Sequence, residues 1–129
     1  MRLIIEHGFM PASRGEREKL RGKRVGQVGL SSITVSELSF GAARSARPAQ
    51  NYGALREFLL AIEVASYDDI SALQYGQVRA GLERRGTLIG PLDTLIAAHA
   101  LAVDATLVTH NTSEFSRVPG LRIEDWLRR

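Results

Sequence analysis

The sequence predicts an α/β fold, a three-layer α/β/α sandwich around a central parallel sheet. Short apolar runs such as Leu3-Ile4-Ile5, Ile62-Glu63-Val64-Ala65 and Thr106-Leu107-Val108-Thr109 have the residues of buried strands. Longer segments with helical apolar spacing separate them, and strands separated by helices pair in parallel under helices on both faces. At 129 residues the chain reads as one domain, 1–129, burying about two-thirds of its unfolded surface around a single core.

The first strand is predicted over Arg2 to Glu6, closed off by Gly8 and Pro11. Ser13 is placed to cap a polar helix through Lys19 or Leu20 that Gly22 ends, and Val25 to Leu30 is the next strand. Thr34 to Ser45 reads as a helix with Val35, Leu38 and Ala42 on one side. Pro48 opens another, with Leu55, Phe58, Leu59 and Ile62 on its apolar repeat, and Ile62 to Ala65 leaves it as a third strand. Asp68 or Asp69 caps a long helix through Arg85, with Ile70, Leu73, Tyr75, Val78 and Leu82 as its inner face and Gly86 as its stop. The segment after Gly90 is a helix to about Val103, apolar almost all round and therefore central. Thr106 to Thr109 is the clearest strand. His110 to Phe115 follow as a loop or short turn, and Leu121 to Ile123 are a last strand before Trp126, which anchors the end.

Composition narrows the function. No apolar run approaches the ~20 residues of a membrane span, and Leu3-Ile4-Ile5 is too short for a secretory signal, so a cytosolic protein without membrane contact is expected. Cysteine is absent, which excludes disulfides, thiolate zinc and a cysteine nucleophile; any metal is left to oxygen or imidazole ligands. Lys and Arg total 17 against 14 acids, a net charge of +3 that permits nucleic-acid binding without demanding it. Basic residues crowd between Arg14 and Arg24 and recur at Arg44, Arg47, Arg79, Arg84 and Arg85, although such runs also serve as solvated helix faces.

In this fold ligands bind beyond the carboxyl ends of the strands. Four acids fall there: Glu6 at the end of the first strand, Glu37 in the first turn of the helix after the second, Asp93 opening the central helix, and Glu114 just past the fourth strand. Each has a plain structural alternative. Thr34-Val35-Ser36-Glu37 has the capping-box form, Asp93 is a good N-cap, Glu114 suits an exposed loop and Glu6 an exposed strand end. Their joint placement is what points to a site. Asp93 is otherwise costly, a lone charge in the apolar stretch from Leu88 to Ala100. Clustered carboxylates without cysteine suit a hard divalent cation, Mg2+ or Mn2+, and the substrate such an ion serves is a phosphodiester.

The segments Ser31-Ser32-Ile33-Thr34-Val35-Ser36-Glu37-Leu38, Gly90-Pro91-Leu92-Asp93-Thr94-Leu95-Ile96-Ala97-Ala98-His99, Thr106 to Phe115 and Val118 to Trp126 together resemble PIN-domain ribonucleases, specifically the VapC-type toxins of bacterial toxin–antitoxin modules. The resemblance spans roughly residues 28 to 126. It implies a magnesium-dependent endoribonuclease with RNA as substrate, a small cognate antitoxin as inhibitor, and a homodimer. Carried over residue by residue, Glu37 and Asp93 match the acidic positions and Glu114 matches the last, with Asn111 beside it. Thr109, Asn111 and Ser32 are expected near phosphate or water, and Arg44, Arg47, Arg84 and Arg85 along the RNA backbone.

The N-terminus departs from the family pattern. Where relatives end the first strand in Asp-Thr-Asn or Asp-Ser-Asn, this chain has Glu6-His7-Gly8, and the extra methylene moves the carboxylate outward by about one bond length against Mg2+ bonds of about 2.0–2.1 Å. That implies a second reading, a PIN-like module that binds antitoxin, and RNA, without cleaving. A Ser/His hydrolase is disfavoured because no Gly-x-Ser-x-Gly is present and His7, His99 and His110 have no evident nucleophile; His99 reads as a core histidine.

Overall fold

Parallel strands need crossovers between them, and among the described residues helices supply them. The fold is described by a computed structural model over residues 3–5 and 28–126. In chain order the elements are β1 (Leu3–Ile5), β2 (Val28–Ser31), α1 (Ser32–Ala43), α2 (Pro48–Ala61), β3 (Glu63–Ala65), α3 (Asp69–Arg84), α4 (Pro91–Ala102), β4 (Thr106–Val108), α5 (Thr112–Phe115) and β5 (Ile123–Glu124). The strands form one sheet in the order β3-β2-β1-β4-β5, every neighbouring pair parallel. Ile5 pairs with both Leu30 and Val108, so the carboxyl end of β1 lies where the strand order reverses.

Successive residues of β4 point to opposite faces, and each face has its own core. Leu107 joins Val78 and Leu82 of α3, Ile96, Ala97, Ala98 and Ala100 of α4, and Phe115. Val108 joins Val28, Leu30 and Trp126, with Val35, Leu38, Phe58, Leu59 and Ile62 packed around them from α1 and α2. The sandwich is therefore α1 and α2, the sheet, then α3 and α4, as the sequence predicts. Trp126 is buried in the second core, as an anchor should be.

Three local expectations are corrected. The helix predicted from Thr34 begins at Ser32, because Ser31 takes the N-cap and its Oγ accepts from Ile33 N–H at 3.1 Å; Thr34 is buried, no capping box forms, and Glu37 falls in the second turn instead of the first. The inner face of α3 runs through Ser71, Val78, Gly81 and Leu82, leaving Ile70 61% and Leu73 75% exposed. The N-cap of α4 is Gly90, so Asp93 is the third helical residue and does not open the helix. Asp68 caps α3 as expected, its Oδ1 accepting from both Ser71 N–H and Ser71 Oγ–H at 3.0 Å. Gly86 stops it with a φ of +68°, a conformation costly for other residues. The helix predicted after Ser13, with Glu6 and His7, lies outside the described residues. Among those residues no helix is long and apolar enough to cross a membrane.

Candidate active site

The site forms where the amino end of α4 meets the turn after β4. Thr109, buried at the strand end, accepts from Asn111 N–H through Oγ1 at 3.0 Å, which bends the chain into α5. One turn on, Glu114 reaches back across the sheet edge. Its Oε1 accepts from Gly90 N–H at 2.7 Å, and its Oε2 accepts from Asn111 Nδ2. Gly90 N–H, a hydrogen bond with Asp93, Asn111 and the nearby Arg117 charge hold Glu114 below the usual carboxylate range, against the opposing effect of burial. Arg117 also ties down the loop, Nη1 donating to Leu88 C=O at 3.0 Å.

Asp93 converges on the same spot. A Cβ on Gly90 would stand 3.6 Å from Asp93 Oδ2 and 3.7 Å from Glu114 Oε1, so two carboxylates share the space that the missing side chain leaves open. Two such groups are compatible only when a proton or a cation lies between them. Glu37 approaches from α1. It lines a groove of about 470 Å³ with Ser36, Phe40, Gly41, Arg44 and Leu92, and Leu92 immediately precedes Asp93.

Thus Asp93 and Glu114 are brought together, Glu37 shares its groove with Leu92 of the first turn of α4, and Glu6 lies outside the described residues. Among the described residues no group of three His, Asp or Glu gathers closely enough to hold a metal alone. The pair present still fits a hard divalent cation: its donors are all oxygen, Gly90 leaves an open cradle over them, and Mg2+ commonly takes one or two carboxylates and completes its shell with water.

The expected RNA contacts separate in space. Arg44, Arg47, Arg84 and Arg85 are all exposed, but only Arg44 lines the groove with Glu37. Arg47 reaches Gln50 Oε1 at 3.4 Å, and Arg84 and Arg85 sit at the end of α3. Thr109 and Asn111 shape the turn and brace Glu114, while Ser32 Oγ accepts from Tyr67 N–H at 2.9 Å. His99 is a core histidine as expected, fully buried, with Nδ1 2.7 Å from Ser31 Oγ.

Sequence reasoning missed Gly90 and Arg117. The signal for Gly90 was its place before Pro91 at the start of a helix bearing an acid in its first turn. Nothing in the local sequence separates Arg117 from any other surface arginine.

The chain matches the PIN domain family over residues 8–121. It is 46% identical over 97 residues to the tRNA(fMet)-specific endonuclease VapC of Salmonella typhimurium, covering 75% of this chain and 74% of that protein. Against the protein of the same name from Shigella flexneri it is 44% identical over 116 residues, 90% of this chain and 86% of the relative. Its fold superposes on the DNA-bound VapBC crystal structure from Salmonella typhimurium with a TM-score of 0.91 at 36% identity, covering 98% of each chain.

Proposed function

This chain belongs to the PIN domain family as a VapC-type member, and we propose that it is an endoribonuclease toxin, dependent on Mg2+ or Mn2+ and held inactive by a small cognate antitoxin. The observation that carries the reading is the convergence of Asp93 and Glu114 on the open face of Gly90, with Glu37 facing the same helix turn. Relatives named as tRNA(fMet)-specific endonucleases and a neighbour solved as a toxin–antitoxin complex support the substrate and the partner. A homodimer is part of the same reading.

Asp93, Glu114 and Glu37 would hold the cation, with Glu6 as the fourth acid. When bound, the ion supplies charge for a non-bridging phosphate oxygen and a water acidic enough to give hydroxide near neutral pH. Asn111 and Gly90 each occupy one oxygen of Glu114, so its carboxylate is fixed before substrate arrives, and preorganisation of this kind is where most electrostatic catalysis originates. Asp93 and Glu37 come from separate helices, so α4 and α1 would each contribute a carboxylate to the cation's site. Water adds to phosphorus as the bond to the 3′ oxygen breaks, leaving a 5′ phosphate and a 3′ hydroxyl. Arg44 neutralises a neighbouring phosphate at the groove.

The test is cleavage of initiator tRNA by the purified chain in Mg2+, in EDTA, and with Glu37→Ala and Asp93→Ala. Cleavage in Mg2+ alone, lost in both variants, supports the enzyme. Glu6 in place of aspartate favours a second reading, a module that binds antitoxin without cutting; intact tRNA in Mg2+ with antitoxin still bound would select it.

A further inference from the structure

Phe40 is a large apolar side chain left in solvent beside the acidic site. It is 65% exposed on α1, three residues after Glu37, and the guanidinium carbon of Arg44 lies 5.5 Å from its ring centroid. The spacings of three and seven residues put Glu37, Phe40 and Arg44 on one helix face, with Arg44 about 10 Å along the axis from Glu37. Leu92, 47% exposed, forms the facing wall of the groove.

We propose that Phe40 and Arg44 form a stacking subsite for an unpaired nucleobase next to the cleaved phosphodiester; the proposal rests on the nuclease reading of the neighbouring acids. Single-stranded RNA is held by an aromatic face on which a base stacks and by cations that follow the phosphates. This groove presents both in order from Glu37: carboxylate, ring, guanidinium. A phosphate placed at Asp93 and Glu114 directs its adjoining nucleotide along α1, where the base fits between the Phe40 ring and Leu92, and Arg44 stands ready for the next phosphate. A purely apolar partner segment would use Phe40 and Leu92 but leave the Arg44 charge unmatched, so charge complementarity favours RNA. Base–aromatic stacking tolerates any base, so this subsite adds affinity and requires an unpaired nucleotide without selecting a sequence.

The test uses the full chain and a fluorescein-labelled single-stranded RNA oligonucleotide, with binding followed by anisotropy at low salt in EDTA, so that cleavage plays no part. Phe40→Ala should weaken binding about tenfold, and Phe40→Trp should restore it. An oligonucleotide made abasic throughout its length should bind wild type and Phe40→Ala alike. Equal affinities of wild type and Phe40→Ala for the intact oligonucleotide overturn the proposal, as does no binding by wild type. So does a Phe40→Ala chain that keeps RNA affinity and loses only antitoxin binding, which assigns the groove to the antitoxin. Phe40 is exposed, and an unchanged melting temperature certifies the variant; Arg44→Ala should give a second weakening, by removing the guanidinium that lies over the ring. The nuclease reading fails separately, if wild type leaves initiator tRNA intact in Mg2+ while the stacking difference persists in EDTA.

Discussion

Ser31 Oγ lies 2.7 Å from His99 Nδ1, joining the end of β2 to the middle of α4 inside the core. Ser31 Oγ also accepts from Ile33 N–H, so one hydroxyl joins the cap of α1 to the buried imidazole. Tyr67 meets the ring edge-on at 5.5 Å. The helix that carries Glu37 is thus capped by a residue that His99 holds. His99→Ala leaves the Ser31 hydroxyl with one partner fewer in the core, and should cost about 1–3 kcal/mol in urea unfolding.

The same pair gives a pH dependence. Burial pushes His99 below its ordinary value of 6.5, opposed by the Asp68 charge and the Ser66 backbone. A base whose folded pKa is depressed binds fewer protons folded than unfolded, so its contribution is fully present above pH 6.5 and is lost as pH falls through the lower folded value. Urea midpoints should hold level from pH 8 to about 6.5 and decline below it. In His99→Gln that decline should flatten.

Glu114 is braced on both oxygens, and Asn111 supplies one of the braces. Asn111→Ala frees Oε2 without removing the carboxylate, so its effect should fall on the ion more than on the fold. Outer contacts of this kind are worth roughly 10–100-fold in metal affinity, measurable by Mn2+ calorimetry. Glu114→Gln should abolish Mn2+ binding and cleavage together, with its circular dichroism unchanged.

Gly90 offers a sharper test of the cradle. Its φ of −55° and ψ of 150° suit any residue, and a Cβ would make ordinary contacts of 3.6 and 3.7 Å. Gly90→Ala should therefore keep its stability within about 0.5 kcal/mol, as surface changes do. The methyl group stands beside both carboxylates and takes room that a cation and its waters need there, so Mn2+ affinity and tRNA cleavage should both fall. A fully active Gly90→Ala would place the ion elsewhere.

The layered parallel sheet was legible because short apolar runs of strand type alternate with longer segments that carry apolar residues at helical spacing or, for α4, almost all round. What misled was polar residues doing buried work. Ser71 is buried because Asp68 satisfies both its N–H and its hydroxyl, so the inner face of α3 turned away from Ile70 and Leu73. Ser31 caps α1 while bonding His99, a contact 68 residues distant that no local pattern announces. The acids Asp93 and Glu114 were legible from strand-end placement, whereas their meeting depends on Gly90 N–H, a backbone group without a sequence signature.

The four candidate arginines should separate by salt dependence. Arg44 lines the groove, so Arg44→Ala should reduce the slope of log affinity against log salt by about 0.7, the value for one single-strand phosphate contact. Arg85 is exposed as well, but it follows the last turn of α3 and does not line that groove. A guanidinium outside the groove contacts no phosphate held there, so Arg85→Ala should leave the slope unchanged. Anisotropy titrations of a labelled RNA at several KCl concentrations check both. A slope that drops equally for Arg44→Ala and Arg85→Ala would mean that the backbone follows α3 instead of the groove along α1.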